Sequence, residues 1–323
     1  MSLDRAALVA AAAESIAKGS KSFALASKLF DKTTRERAWL LYFWCRTCDD
    51  IADGQDHGGA MSVVSDAAER VAHISELTTM ALDGEPTGDP AFDALGVVVR
   101  ETGIPRDLPY DVIEGFALDA ADWRPRKEAD LLKYCYHVAG AVGRMMAIVM
   151  GVSPQDDETL DRATDLGLAF QLANIARDLD EDDAAERCYL PLDWIVEADI
   201  PPGEHMRPHY RSRVADMAWW LADMAEDYEA SARVGAAKLP FRSRWAVLAA
   251  AGIYGDIARE VARRGSAAWN HRVITTKAQK SAWVAKAFGQ ALTNNPPPFD
   301  RADLWALSTA HLPRSNRPLR RPR

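Results

Sequence analysis

Apolar residues recur every three to four positions along almost the whole of this 323-residue chain, and alternating, strand-like patterns are scarce. A period of about 3.6 gathers the apolar side chains of each segment on one face, which must then be buried against another helix. The pattern predicts helices over residues 3–17, 34–53, 62–82, 90–102, 109–119, 130–150, 156–182, 212–239, 241–264 and 276–292. Glycine and proline stand where such helices have to stop, from Gly84 to Pro90, Gly103 to Pro105, Gly151 to Pro154, Pro201 to Gly203 and Pro296 to Pro298. No break is long enough to divide two domains. The expected architecture is all-α, one domain over residues 1–312. Residues 313–323, rich in proline and arginine without a period, are expected to form a disordered tail, with weak attraction to anionic lipid headgroups as the alternative.

Composition narrows the function. Hydrophobic residues make up 48% of the chain, enough to build a core and also to line an apolar cavity. A net charge of −8 argues against nucleic-acid partners, which require broad basic surfaces. It is compatible with a phosphorylated substrate if metal ions supply positive charge locally. Cys45, Cys48, Cys135 and Cys188 form no disulfide framework, so a reducing, cytoplasmic setting is expected. The first residues lack the apolar core of a secretory signal, and no run of 18 apolar residues offers a membrane span. A membrane-soluble product would therefore leave through a peripheral contact. Cys45 and Cys48 make a lone CxxC, a weak zinc signal, and no HExxH or nucleophile elbow is present. The sequence carries no signal for an oligomeric state.

Two segments carry the chemistry. Around Tyr42 to Asp53, the side chains of Tyr42, Arg46, Asp49 and Asp53 fall within roughly 60° of one another on a helix, while Leu40, Leu41, Phe43, Trp44 and Ile51 cover other faces. Between Leu166 and Asp182, apolar residues leave little polar surface, yet Gln171, Asn174, Asp178 and Asp182 align at spacings of three, four and four. Each helix thus ends in an Asp-x-x-x-Asp pair. Carboxylates are disfavoured at the partially negative C-terminal end of a helix, repel at this spacing, and are costly to bury unpaired. One such pair is ordinarily a solvated surface. Two, each on an otherwise apolar helix, call for cations between them, and magnesium, a hard ion preferring oxygen, fits that demand.

Other features are weaker. Gly19-Ser20-Lys21-Ser22-Phe23 is a small, basic, hydroxyl-bearing turn suited to phosphate oxygens, without the spacing of a P-loop. Arg46 and Arg177 adjoin the aspartates, either to neutralise them or to grip a diphosphate. The small residues between Tyr134 and Gly143 allow close helix packing or leave room for a long chain; spacing does not separate the two.

The segments GSKSFA (19–24), YFWCRTCDDIAD (42–53), YCYHVAGAVG (134–143) and AFQLANIARDLDEDDAAERCYLP (169–191) resemble those of the head-to-head prenyl synthases, the squalene and phytoene synthases, and within them the bacterial phytoene synthases. The likeness runs from about Ser15 to Leu292. It implies an isoprenoid-synthase fold around a central cavity, dependence on Mg2+ or Mn2+ without nicotinamide, and two geranylgeranyl diphosphates as substrates. By motif position Asp49, Asp53, Asp178 and Asp182 would hold the metals, helped by Asn174 and Gln171, with Asp50 in support. Ser20, Lys21, Arg46, Arg177 and Arg272 would contact diphosphates. Tyr42, Phe23, Tyr134, Val138, Tyr189 and Tyr254 would line the reaction chamber. Two alternatives are dehydrosqualene or squalene synthesis from farnesyl diphosphate and a non-catalytic helical assembly factor. The second would have little reason to keep both aspartate pairs.

Overall fold

The computed structural model describes residues 4–54 and 66–307, with the side chains of Lys21 and Ser22 excepted. Thirteen α-helices account for most of these residues, and among them there is no strand. In chain order the helices are α1 (Arg5–Gly19), α2 (Lys21–Ala26), α3 (Lys32–Asp53), α4 (Ala67–Asp83), α5 (Pro90–Thr102), α6 (Asp107–Ala120), α7 (Glu128–Cys135), α8 (Ala141–Val149), α9 (Asp157–Ala184), α10 (Leu192–Glu197), α11 (Arg211–Ala236), α12 (Phe241–Arg264) and α13 (Lys277–Thr293). The predicted tail at 313–323 and the first residues of the helix predicted from 62 lie outside the described residues.

Local chemistry sets the boundaries. Asp31 opens α3 by accepting the Thr34 amide at 3.0 Å, and Asp156 does the same for Thr159 at the start of α9. Thr276 and Gln279 cap each other reciprocally at the start of α13. Gly54, Gly84 and Gly103 end α3, α4 and α5 in the left-handed conformation, at φ of 64°, 80° and 72°.

The 28-residue α9 is the hub, packed on α8, α11 and α12; α3 sits in a second group with α1, α4 and α5. Two departures from the predicted helices matter for the site. Residues 21–26 form the short helix α2 rather than a turn, capped by Ser20, whose hydroxyl accepts the Phe23 amide. The segment predicted as one helix over 130–150 is interrupted by a π-turn at Tyr136–Gly140. There His137 Nδ1 meets the Asp111 carbonyl at 2.9 Å and the Tyr136 hydroxyl donates to the Asp111 carboxylate. One extra residue in the turn rotates α8 relative to α7, a device common beside functional sites.

Small residues bring α8 and α9 together. A Cβ at Gly143 would fall on the Ala163 carbonyl, and one at Gly167 on the Ala139 carbonyl. Both backbones therefore touch with nothing between them. Beyond α13 the chain returns across the bundle. Arg301 forms a fork with Asp165 on α9 at 2.7 and 2.9 Å, and Trp305 is buried against Tyr136 and Tyr228.

Candidate active site

Helices α2, α3, α6, α8, α9, α11 and α12 enclose a cavity of about 1120 Å³, larger than the ~300–1,000 Å³ of ordinary small-molecule sites. Along α9 its wall extends from Thr159 to Asp182, about 34 Å at the rise of a helix. The wall is apolar over most of that length and acidic at the end where α3 and α9 finish.

From α3 the wall takes Tyr42, Arg46, Asp49 and Asp53; from α9 it takes Gln171, Asn174, Asp178 and Asp182. Both aspartate pairs, far apart in sequence, thus face one space. Arg46 holds Asp49 at 2.9 Å and also pairs with Asp50. Across the gap Arg187 reaches Asp53 at 2.9 Å. Asp178 is gripped by the neighbouring Arg177 and, at 2.9 Å, by Arg272. These last two arginines are not part of the cavity wall. Gly19 lets α1 end close to the site, since a Cβ there would lie 2.5 Å from the Tyr42 hydroxyl. Ser20, Phe23, Tyr134, Val138, Tyr189 and Tyr254 also line the cavity. The Lys21 side chain lies outside the described residues.

Three aromatic pairs form much of the lining. Phe23 and Tyr42 have ring centroids 5.5 Å apart, Tyr134 and Tyr189 stack at 4.8 Å, and Phe170 and Tyr254 at 4.2 Å. The small residues of the 134–143 segment serve both roles left open by their spacing. Gly143 seats α8 on α9, while Val138, Ala139, Val142 and Gly143 also border the cavity.

Asp119 and Arg187 belong to the site without having been anticipated. Asp119, at the end of α6, accepts from the Tyr134 hydroxyl at 3.0–3.1 Å and the Tyr189 hydroxyl at 3.0 Å. Burial lifts its carboxyl to about 6, against the pull of Arg187 and the two hydroxyls. Burial likewise raises Asp49 to about 6, opposed by Arg46 and reinforced by Asp53 and Asp50. The Asp49 side chain is 44% exposed, but into a concave space walled by protein, which solvates a charge poorly. Asp182 rises to about 7, from burial first and then repulsion by Asp178, with Arg187 opposing.

An oxygen-only donor set bearing more negative charge than its arginines offset suits a hard divalent cation. Asp49, Asp53, Asn174, Asp178 and Asp182 could hold it. Among the described residues no three His, Cys, Asp or Glu side chains stand close enough to cage a metal by themselves, so ligands from substrate and water would complete the shell. All four cysteines are free thiols, Cys45 and Cys48 included, and burial pushes Cys45 up to about 12.

The shifted carboxyls make a pH dependence. A group whose carboxyl is raised on folding holds its proton more tightly when folded, so the metal-free fold loses stability as pH rises from about 4 towards the raised values. Divalent ions compete for the same oxygens and bind the ionised form. Magnesium is therefore expected to raise the melting temperature more at about pH 8 than at about pH 5.5. Thermal melts with and without magnesium at both pH values check this; an equal shift would contradict it.

The sequence pattern of the squalene/phytoene synthase family matches residues 16–280. A phytoene synthase of Pseudescherichia vulneris is 44% identical over 283 residues, which cover 87% of this chain and 91% of that protein. A 15-cis-phytoene synthase of Pantoea ananas is 42% identical over 300 residues, covering 91% and 96%. Among solved structures, a dehydrosqualene synthase in complex with ligand superposes with a TM-score of 0.79 at 23% identity, covering 90% of this chain and 98% of that one, a likeness of fold. With the match extending over the elements that build the cavity, this chain belongs to the squalene/phytoene synthase family.

Proposed function

We propose that the chain condenses two geranylgeranyl diphosphates head to head into phytoene, a first committed step towards carotenoids. The observation that carries this reading is the opposition of two aspartate pairs at one end of a cavity too large for one ordinary ligand. Magnesium or manganese would be held by Asp49 and Asp53 on one side and by Asp178, Asp182 and Asn174 on the other. Bound there, it supplies Lewis acidity and offsets the charge of a departing diphosphate.

The chain's own groups do the rest. Arg46, Ser20 and Lys21 bind and orient diphosphate oxygens, and Gln171 supports Asn174 and its neighbours on α9. Arg177 and Arg272, already engaged with Asp178 and outside the cavity wall, fix that carboxylate in place. Cleavage of the first allylic C–O bond sends its electron pair out with diphosphate and leaves a cation. The double bond of the second substrate supplies the pair for the new C–C bond, and loss of a proton closes a cyclopropane. Departure of the second diphosphate, ring rearrangement and a last proton loss give phytoene. Released diphosphate accepts the protons. Tyr42, Tyr134, Tyr189 and Tyr254 line the chamber in which the cations form and would favour them as aromatic neighbours, while Phe23 and Val138 help exclude water. No hydride is added, so no nicotinamide is required.

The test is direct. Purified protein with magnesium is incubated with geranylgeranyl or farnesyl diphosphate and the hydrocarbons are identified by mass. Phytoene from the longer substrate is the expected product. Turnover of farnesyl diphosphate alone, to a squalene-type product, would overturn the assignment.

A further inference from the structure

We propose that Asp119 is a positioning residue: by holding the hydroxyls of Tyr134 and Tyr189, it sets the aromatic wall beside which the cations of the condensation form. The inference rests on the reaction proposed above and adds to it a group outside both aspartate pairs.

Asp119 is the penultimate residue of α6, Tyr134 stands on α7, and Tyr189 lies between α9 and α10. All three line the cavity. One carboxylate therefore ties together three parts of the chain. Its Oδ1 accepts from the Tyr189 hydroxyl at 3.0 Å and from the Tyr134 hydroxyl at 3.1 Å, and its Oδ2 from Tyr134 at 3.0 Å. The rings follow the hydroxyls. Trp123 stacks on Tyr134 with 5.8 Å between centroids, and Tyr134 on Tyr189 with 4.8 Å. Both tyrosines are buried, so water competes little for their hydroxyls.

The partners of this carboxylate set it apart from those assigned to the metal. Asp49, Asp53 and Asp178 are paired with arginines, whereas Asp119 takes its hydrogen bonds from phenols. It is still near enough to both pairs for its charge to help raise the carboxyls of Asp49 and Asp182. Burial first, and then this carboxylate, hold both phenols above their ordinary value. They keep their protons and serve as donors, not as bases. A hydrogen bond to an ionised acceptor is roughly twice as strong as a neutral one. It fixes each ring and leaves the phenol a more electron-rich neighbour for a cation. A wall preset in this way needs no rearrangement as positive charge develops.

The experiment compares Asp119→Asn, Tyr134→Phe/Tyr189→Phe and the triple variant, with magnesium and whichever of the two diphosphates the wild type consumes. The readout is the ratio of released cyclopropyl diphosphate to hydrocarbon. That ratio sets the second ionisation against escape of the intermediate, so it does not depend on how many molecules are folded. Asp119→Asn is expected to raise it about tenfold and to leave the magnesium concentration for half-maximal rate unchanged. The double tyrosine variant should raise it similarly. The triple variant should go no further than the larger of the two, because groups acting through one contact are not additive. An unchanged ratio in Asp119→Asn or in the double tyrosine variant would make the cluster a structural tie and overturn the proposal. So would a raised magnesium requirement, which would route the effect through Arg187 to the metal. Losses that multiply in the triple variant would also overturn it, because the carboxylate would then act without the phenols. A wild type that turns over only farnesyl diphosphate would end the phytoene assignment and leave this comparison intact.

Discussion

Asp178→Asn is expected to lower phytoene formation by about a thousandfold or more while leaving the far-ultraviolet circular dichroism unchanged. The amide keeps the shape of the side chain and removes its charge. In the wild type that charge is held by Arg177 and Arg272 and faces Asp182 one turn on. Without it the α9 pair has one carboxylate left to attract a divalent ion, Arg177 loses its bonded carboxylate, and Arg272 keeps only Glu181. Asp49→Asn should do the same from α3, because Asp49 and Asp53 form the pair that faces the α9 aspartates across the cavity. Asp180→Asn is the control. That carboxylate lies on the same helix but pairs with Arg211 at 3.0 Å and is not part of the cavity wall. Initial rates at saturating substrate and magnesium measure the effect. Near-normal turnover by Asp178→Asn or Asp49→Asn would remove the metal role from the aspartates.

Arg301→Leu is expected to cost about 3–5 kcal/mol of stability, because it strands a buried carboxylate. Asp165 is 0% exposed, in the first third of α9, with Arg301 as its forked partner and Ser231 as a further donor. Removing the guanidinium leaves a charge that neither water nor a single hydroxyl offsets. Denaturant titration reads the loss. The double variant Arg301→Leu/Asp165→Leu should recover much of it, since apolar residues of similar size often replace a buried ion pair at little cost. A change of under about 1 kcal/mol in the single variant would mean the fork contributes little.

Much of this was legible in the residues, and the reasons differ from part to part. Helix periodicity and Gly/Pro breaks depend on local sterics, so α5, α9 and α12 emerge close to their predicted spans. The two aspartate stripes were visible because each repeats within one helix. Asp119 was not, since a single carboxylate in Leu-Asp-Ala-Ala-Asp has no period, and its tyrosine partners come from other elements. Arg187 follows the end of α9 and reaches α3 only because the chain turns there, Glu186 adopting a positive φ of 61°. Arg177 stands next to Asp178, and neighbours on a helix point about 100° apart, so it holds the aspartate without sharing its view of the cavity. The π-turn at Tyr136–Gly140 has no signature in composition. It answers to Asp111, which lies on another helix.

The return of the chain across the bundle bears on how the protein is made. Residue 165 acquires its counter-ion from residue 301, and Trp305 fills the space beside Tyr136 and Tyr228. On the ribosome, helices emerging first must wait with that carboxylate unmatched until the segment after α13 has cleared the tunnel. Final assembly of this fold therefore waits for residues 301–305, and chains that have not yet produced them keep the Asp165 carboxylate without its arginine.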